Sequence, residues 1–151
     1  MRVQVALNVA DLEQAIAYYS KLLGAPVAKR RPGYANFAVD EPPLKLVLFE
    51  NPGAAERLNH LGVEVFEGAE VLRAAQRLEA EGLPHEVIQD ERCCWAEKNT
   101  VYAKDPQGLL WEYYEVTGNL EAPSEAAPAA APGCATAPSE PAPAPPKVGC
   151  C

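Results

Sequence analysis

The 151-residue chain carries 13 Lys and Arg against 21 Asp and Glu, a formal charge of −8, with 48% hydrophobic residues, 15 Pro and 5 Cys. That length suits one compact domain and is short for two large ones, and the acidic balance argues against a phosphate-binding surface, so nucleic acid is not an expected partner. No stretch reaches the roughly 18 apolar residues of a membrane helix, and the odd number of cysteines, with Cys93, Cys94 and Cys150, Cys151 adjacent in pairs, reads as free thiols; the expectation is a soluble cytoplasmic protein with no membrane partner.

The chain opens with Val3, Val5, Leu7 and Val9 alternating with Gln4, Ala6 and Asn8, the period of two of a half-buried strand. Asp11 and Gln14 then mark a helix start. Leu12, Ala15, Ile16, Tyr19, Leu22 and Leu23 form its apolar stripe, and Gly24 and Pro26 end it. Three short strands are predicted near residues 26–29, 34–39 and 44–50, separated by turn-forming RPG and DEPP. The same order then recurs: a strand over 60–65, a helix over about 69–81 closed by Gly82 and Pro84, and strands near 85–89, 100–104 and 109–116.

The repeat is an internal duplication of β-α-β-β-β units at an offset of roughly 56 residues. The predicted fold class is therefore α+β, with two such modules forming one cupped mixed sheet. The boundaries are 1–117 for the folded domain, with modules at about 1–52 and 57–117. After Val116 the composition changes to Ala and Pro. Residues 118–151 read as a disordered or semi-stiff tail ending in Cys150 and Cys151.

In register, Gln4 and His60 take the same place at the start of each unit. Glu112 shares a strand face with Leu110 and Tyr114, and is assigned to the cup. Aligning the last strands of the units puts Val47 opposite Glu112. The cup then holds one amide, one imidazole and one carboxylate, a three-ligand set that leaves open positions on a divalent metal. Cys93 and Cys94 lie in the polar segment QDERCCWAEK, expected at the rim. Two adjacent thiols form a chelate for a soft ion such as trivalent arsenic or cadmium; Arg92 and Lys98 favour the thiolate form, and Glu91 and Glu97 oppose it. His85, following Pro84, reads as structural.

The segments RVQVALNVADLEQAIAYYSKLLG, RPGYANFAVDEPPLKLVLFENPG, LNHLGVEV, the Cys93, Cys94 pair and DPQGLLWEYYEV together resemble the ArsI/CadI family of the vicinal oxygen chelate (glyoxalase/bleomycin-resistance/dioxygenase) superfamily. The resemblance covers nearly all of residues 1–117. It implies a non-haem Fe(II)-dependent dioxygenase that cleaves the carbon–arsenic bond of trivalent organoarsenicals such as methylarsenite or aromatic arsenicals, releasing inorganic arsenite. On that resemblance Cys93 and Cys94 bind arsenic, while Gln4, His60 and Glu112 hold Fe(II), with dioxygen as co-substrate. The resemblance extends to a tail with extra cysteines, which makes Cys150 and Cys151 candidate accessory thiols.

A second reading is a heavy-metal resistance protein that binds cadmium or arsenite through its thiols without turnover. Glyoxalase-type isomerisation ranks last, because Val47 stands where a fourth metal ligand belongs. The two units pair either within a monomer or across a homodimer, since both arrangements bury the same strand faces, and Tyr34, Phe37 and Trp95 are candidates to line a substrate pocket.

Overall fold

The structure, a computed structural model, describes residues 1–121. Its elements run β1 (Arg2–Val9), α1 (Leu12–Leu23), β2 (Lys29–Arg31), β3 (Tyr34–Val39), β4 (Leu44–Glu50), β5 (Leu58–Val65), α2 (Gly68–Ala80), β6 (His85–Cys93), β7 (Ala96–Lys104) and β8 (Leu110–Asn119). The strands form one curled eight-stranded sheet in the order β2-β3-β4-β1-β5-β8-β7-β6. The tail cysteines Cys134, Cys150 and Cys151 lie outside the described residues.

The duplication is visible in the pairing. β1 and β5 meet antiparallel at the centre, with Gln4 opposite Gly62 and Ala6 opposite His60, so exchanging the modules maps one pair onto the other. β4 runs parallel to β1 with Val47 beside Ala6. β8 runs parallel to β5 with Glu112 beside Gly62. Val47 and Glu112 therefore occupy equivalent places, as the sequence alignment of the two units predicts.

Each helix covers one half of one sheet face. α1 begins at Asp11, whose carboxylate accepts from the Gln14 amide at 2.8 Å, a cap that stabilises such a helix by about 1 kcal/mol. It ends at Gly24, left-handed at φ 60°, a conformation glycine adopts without Cβ strain. Val5, Leu7, Ala15, Ile16 and Tyr19 pack around buried Val9, Phe37, Leu46 and Leu48. Beneath α2, Val65, Val71, Ala75 and Val101 form the matching core. Burial of each such side chain contributes about 1.5–3 kcal/mol, so apolar residues on the helix side hold the sheet and the opposite, cupped face is left for polar side chains.

Several boundaries differ from the sequence reading, among them the end of β8, which runs to Asn119 and so takes in residues 118 and 119 that the sequence assigned to the tail. β2 lies at Lys29–Arg31 rather than 26–29. β6 and β7 are much longer than predicted and continue through QDERCCWAEK as a hairpin, with Cys93 paired to Ala96. The hydrophobic alternation that marks a strand is missing there, because inward-facing residues are also charged: Glu91 and Lys98 are both buried. The turn is Cys94–Trp95, both at positive φ (55° and 66°), as in the two-residue loops whose twist matches a hairpin. Asn and Gly usually fill such turns, and larger residues there cost about 1–3 kcal/mol each.

β6 also carries a bulge. Ile88 pairs with Thr100 but Glu91 pairs with Lys98, so an extra residue is accommodated around Asp90, itself at φ 52°. Before the bulge the even-numbered residues share the cupped face with Thr100 and Tyr102. After it, Glu91 and Cys93 turn inward and are buried, while Arg92 is exposed.

Candidate functional site

Gln4, His60 and Glu112 come together on the cupped face, and all three are buried. His60 Nε2 lies 2.9 Å from Gln4 Nε2 and 3.1 Å from Glu112 Oε1. Gln4 Nε2 lies 2.5 Å from the same Glu112 oxygen. Gly62 makes this convergence possible. It sits between Gln4 and Glu112 in the ladder, and a Cβ there would fall 2.9 Å from Glu112 Cγ, 3.2 Å from Glu112 O and 3.4 Å from Gln4 Cβ. The missing side chain lets two residues on non-adjacent strands meet over the strand between them.

His60 is oriented from behind. Its Nδ1 is 2.7 Å from Asn59 Oδ1, Asn59 Nδ2 donates to Asn8 Oδ1 at 3.0 Å, and Asn8 Nδ2 donates to the Glu56 carbonyl at 2.9 Å. With the Nδ1 proton given to Asn59, the Nε2 lone pair faces the centre. Tyr114 donates its hydroxyl proton to Gln4 Oε1. Burial, with the carboxylates of Glu112 and Glu64 nearby, pushes the Tyr114 pKa well above its ordinary value, so it acts as a neutral donor.

Glu112 has a partner that sequence reasoning missed. Lys98 Nζ lies 2.7 Å from Glu112 Oε2, 3.0 Å from the Tyr102 hydroxyl and 3.7 Å from Glu91 Oε2. Burial works against the Glu112 carboxylate, but the Lys98 ammonium outweighs it and holds its pKa far below the usual range. Burial likewise opposes the Lys98 ammonium, and Glu112, Tyr102 and Glu91 outweigh that, raising its pKa. Lys98 thus pairs with Glu112, and Arg92 reaches Glu97 at 3.1 Å. A signal existed in the spacing, since Lys98 and Tyr102 are four apart on a strand and share a face.

The donor atoms fit a divalent cation. Ligand atoms in adjacent positions around an octahedral ion with bonds of about 2.1 Å stand about 3.0 Å apart, close to the 2.9 Å from His60 Nε2 to the end of the Gln4 amide and the 3.1 Å from His60 Nε2 to Glu112 Oε1. Two acceptors, His60 Nε2 and Glu112 Oε1, face one another, an arrangement that a cation satisfies. An ion also requires the Gln4 carbonyl oxygen at the centre; half a turn of the amide brings Oε1 there and leaves Nε2 to donate to the Tyr114 oxygen. Among the described residues no three His, Cys, Asp or Glu side chains converge as a metal-binding group, so the amide is needed to complete the set.

The thiol pair lies over the other half of the cup. The Cys93 and Cys94 sulfurs are 2.8 Å apart. Cys94 and Trp95 pack against Ala6, Tyr34 and Val47, beside Phe49. Phe49 connects this wall to the polar centre, its ring 5.6 Å from that of Tyr34 and 6.3 Å from that of His60. Phe37 instead lies in the core under α1. The hairpin is tied to the opposite edge strand: Lys29 Nζ donates to the Trp95 carbonyl at 2.5 Å and to Asn119 Oδ1 at 2.9 Å. The Arg31 guanidinium lies 6.0 Å from the Trp95 ring centroid. His85 stands apart and half-buried, its Nδ1 2.9 Å from the Leu83 carbonyl.

A model of the Glyoxalase/Bleomycin resistance protein/Dioxygenase superfamily matches residues 2–113. The chain belongs to this superfamily. Within the superfamily it is 53% identical over 121 residues to a trivalent organoarsenical cleaving enzyme of Thermomonospora curvata, covering 80% of each chain. It is 52% identical over 120 residues to the cadmium-induced protein CadI of Mycobacterium bovis, covering 80% of this chain and 79% of the relative. A solved structure of homoprotocatechuate 2,3-dioxygenase from Brevibacterium fuscum superposes with a TM-score of 0.56 at 23% identity, over 78% of this chain and 33% of that one. That likeness is of fold. No described helix is long and apolar enough to cross a membrane.

Proposed function

We propose that this protein is a non-haem Fe(II)-dependent dioxygenase that cleaves the carbon–arsenic bond of trivalent organoarsenicals. The observation that carries the reading is that the vicinal sulfurs and the Gln4–His60–Glu112 centre share one cupped face. Cys94 packs against the cluster of Ala6, Tyr34 and Val47, in which Ala6 is the ladder partner of His60. The relatives named as organoarsenical cleaving enzymes support it.

In this reading Cys93 and Cys94 hold the arsenic atom, soft sulfur matching a soft centre. The wall of Tyr34, Val47, Phe49 and Trp95 excludes water and directs the organic substituent toward His60. Gln4, His60 and Glu112 hold the iron, which when bound supplies open positions for dioxygen chemistry. Asn59 fixes the imidazole, Tyr114 the amide and Lys98 the carboxylate. For methylarsenite the overall reaction balances with one dioxygen: the methyl carbon is oxidised and leaves as formaldehyde, dioxygen is reduced, and arsenic leaves as arsenite. The deciding experiment is anaerobic Fe(II) loading followed by methylarsenite and air. Many equivalents of arsenite per protein are expected, none without iron or oxygen, and the Cys93→Ser, Cys94→Ser double variant is expected to lose turnover.

The CadI relative, whose name records induction by cadmium, favours a second reading, thiol sequestration of cadmium or arsenite without turnover. Stoichiometric binding that His60→Ala leaves unchanged, with no arsenite released, would establish that reading instead.

A further inference from the structure

The two oxygens of Glu112 face different ways. Oε1 belongs to the centre, within 2.5 Å of Gln4 Nε2 and 3.1 Å of His60 Nε2, whereas Oε2 accepts from Lys98 Nζ at 2.7 Å. The ammonium is fixed in turn. It donates to Tyr102 at 3.0 Å and lies 5.4 Å from the ring centroids of both Tyr102 and Tyr114. The Tyr102 hydroxyl donates to Glu91 at 2.9 and 3.0 Å. Lys98, Tyr102, Glu91 and Glu112 are all buried.

Simple core packing does not explain such a group. Burying an ammonium against two carboxylates carries a large desolvation cost, and hydrophobic residues of similar volume often do as well for stability alone. The arrangement is also set by backbone irregularity, because the bulge before Glu91 is what brings that carboxylate opposite Lys98. What the chain achieves is geometric: a carboxylate that would otherwise turn both oxygens to a cation has one of them held elsewhere.

Whether a carboxylate binds an ion through one oxygen or two changes the number of positions left for other ligands. With Gln4, His60 and one oxygen of Glu112, a six-coordinate ion keeps three open positions; with both oxygens it keeps two. We propose that Lys98, anchored by Tyr102 and Glu91, is a positioning residue that holds Glu112 to one-oxygen donation and so keeps one more coordination position open. This rests on the metal reading of the Gln4–His60–Glu112 centre.

The test uses the full chain with Mn(II) as the probe, and reads the exchangeable water on the bound ion by water-proton relaxation. The parent is expected to show more bound water than Lys98→Met, in which Glu112 is free to bind through both oxygens and about one third of the inner-sphere water is lost. Lys98→Arg retains a cation at Oε2 and is expected to restore the parent value. Should Lys98→Met fail to fold, the Lys98→Met, Glu91→Gln pair removes one cation and one anion together and is expected to show the same loss. A Lys98 with a purely structural role would lower the unfolding midpoint and leave the water count per bound Mn(II) at the parent value, which overturns the proposal. A parent that binds no Mn(II), Fe(II) or Co(II) overturns the metal reading itself, a different failure read in a different arm.

Discussion

Gly62 is the ladder partner of both Gln4 and Glu112, one on each side of β5. The three residues form a row across three strands in which only the outer two carry side chains, and those side chains meet above the middle one. The first module has the equivalent row with Ala6 and Val47, and no carboxylate crosses there.

Gly62→Ala is therefore expected to damage the centre more than the fold. The added methyl would meet Glu112 Cγ at 2.9 Å, and overpacking of this kind costs about 1–3 kcal/mol. Divalent-ion affinity, measured calorimetrically, is expected to fall roughly 10–100-fold, the range seen when ligand orientation is lost. Parent-like affinity would mean that Gln4 and Glu112 do not share an ion.

Replacing the amide tests the same centre from the other side. Imidazole binds iron, zinc and nickel more readily than an amide oxygen does, so Gln4→His is expected to bind Ni(II) more tightly than the parent. Gln4→Ala is expected to bind it more weakly. Equal affinities in all three proteins would exclude Gln4 as a ligand.

The hairpin bearing the cysteines depends on a contact from the far edge of the sheet. Lys29→Ala removes the bonds to the Trp95 carbonyl and Asn119 and leaves two left-handed turn residues less supported. Hydrogen exchange, followed by mass spectrometry, is expected to quicken over residues 93–97 and stay unchanged in β1 and β5. Arsenite affinity is expected to weaken in parallel, since a looser turn no longer preorganises the two sulfurs.

Acid stability follows from the buried pair. Glu112 is held below its ordinary pKa, so its contribution to the stability of the metal-free protein is complete above about pH 4.3 and is lost as pH falls toward the folded-state value. Lys98 is held above its ordinary pKa, so its contribution is complete below about pH 10.4 and is lost as pH rises through its folded value. Urea midpoints are expected to drop between pH 5 and pH 3, with a shallower drop in Glu112→Gln. An equal slope in both proteins would assign the acid sensitivity to other carboxylates.

Much of this fold was legible because β1, β3, β4 and β5 have one apolar and one mixed face, and because the second module repeats the first. The same register logic placed Gln4, His60 and Glu112 together. Lys98, Tyr102 and Glu91 were hidden for the opposite reason. They lie on strands whose inward face is polar, so β6 and β7 lack the alternation that reveals a strand, and charged residues there read as a rim loop. The part played by Gly62 was hidden as well, since an absent side chain matters only once the neighbouring strands are known.

The bulge at Asp90 makes the end of β6 intolerant of changes in length. QDERCCWAEK has the composition of a segment where insertions and deletions are ordinarily harmless. Yet Glu91 and Cys93 face inward only because one extra residue has already been absorbed before them. Deleting a residue at 89 or 90 would restore regular pairing and shift the later segment by one place. Whichever residues then faced the cup, the Lys98 anchor and the Cys93, Cys94 thiols would be displaced by the same event. A length change in this short segment would thus be a double lesion, and substitution is the only route by which it can vary without losing both.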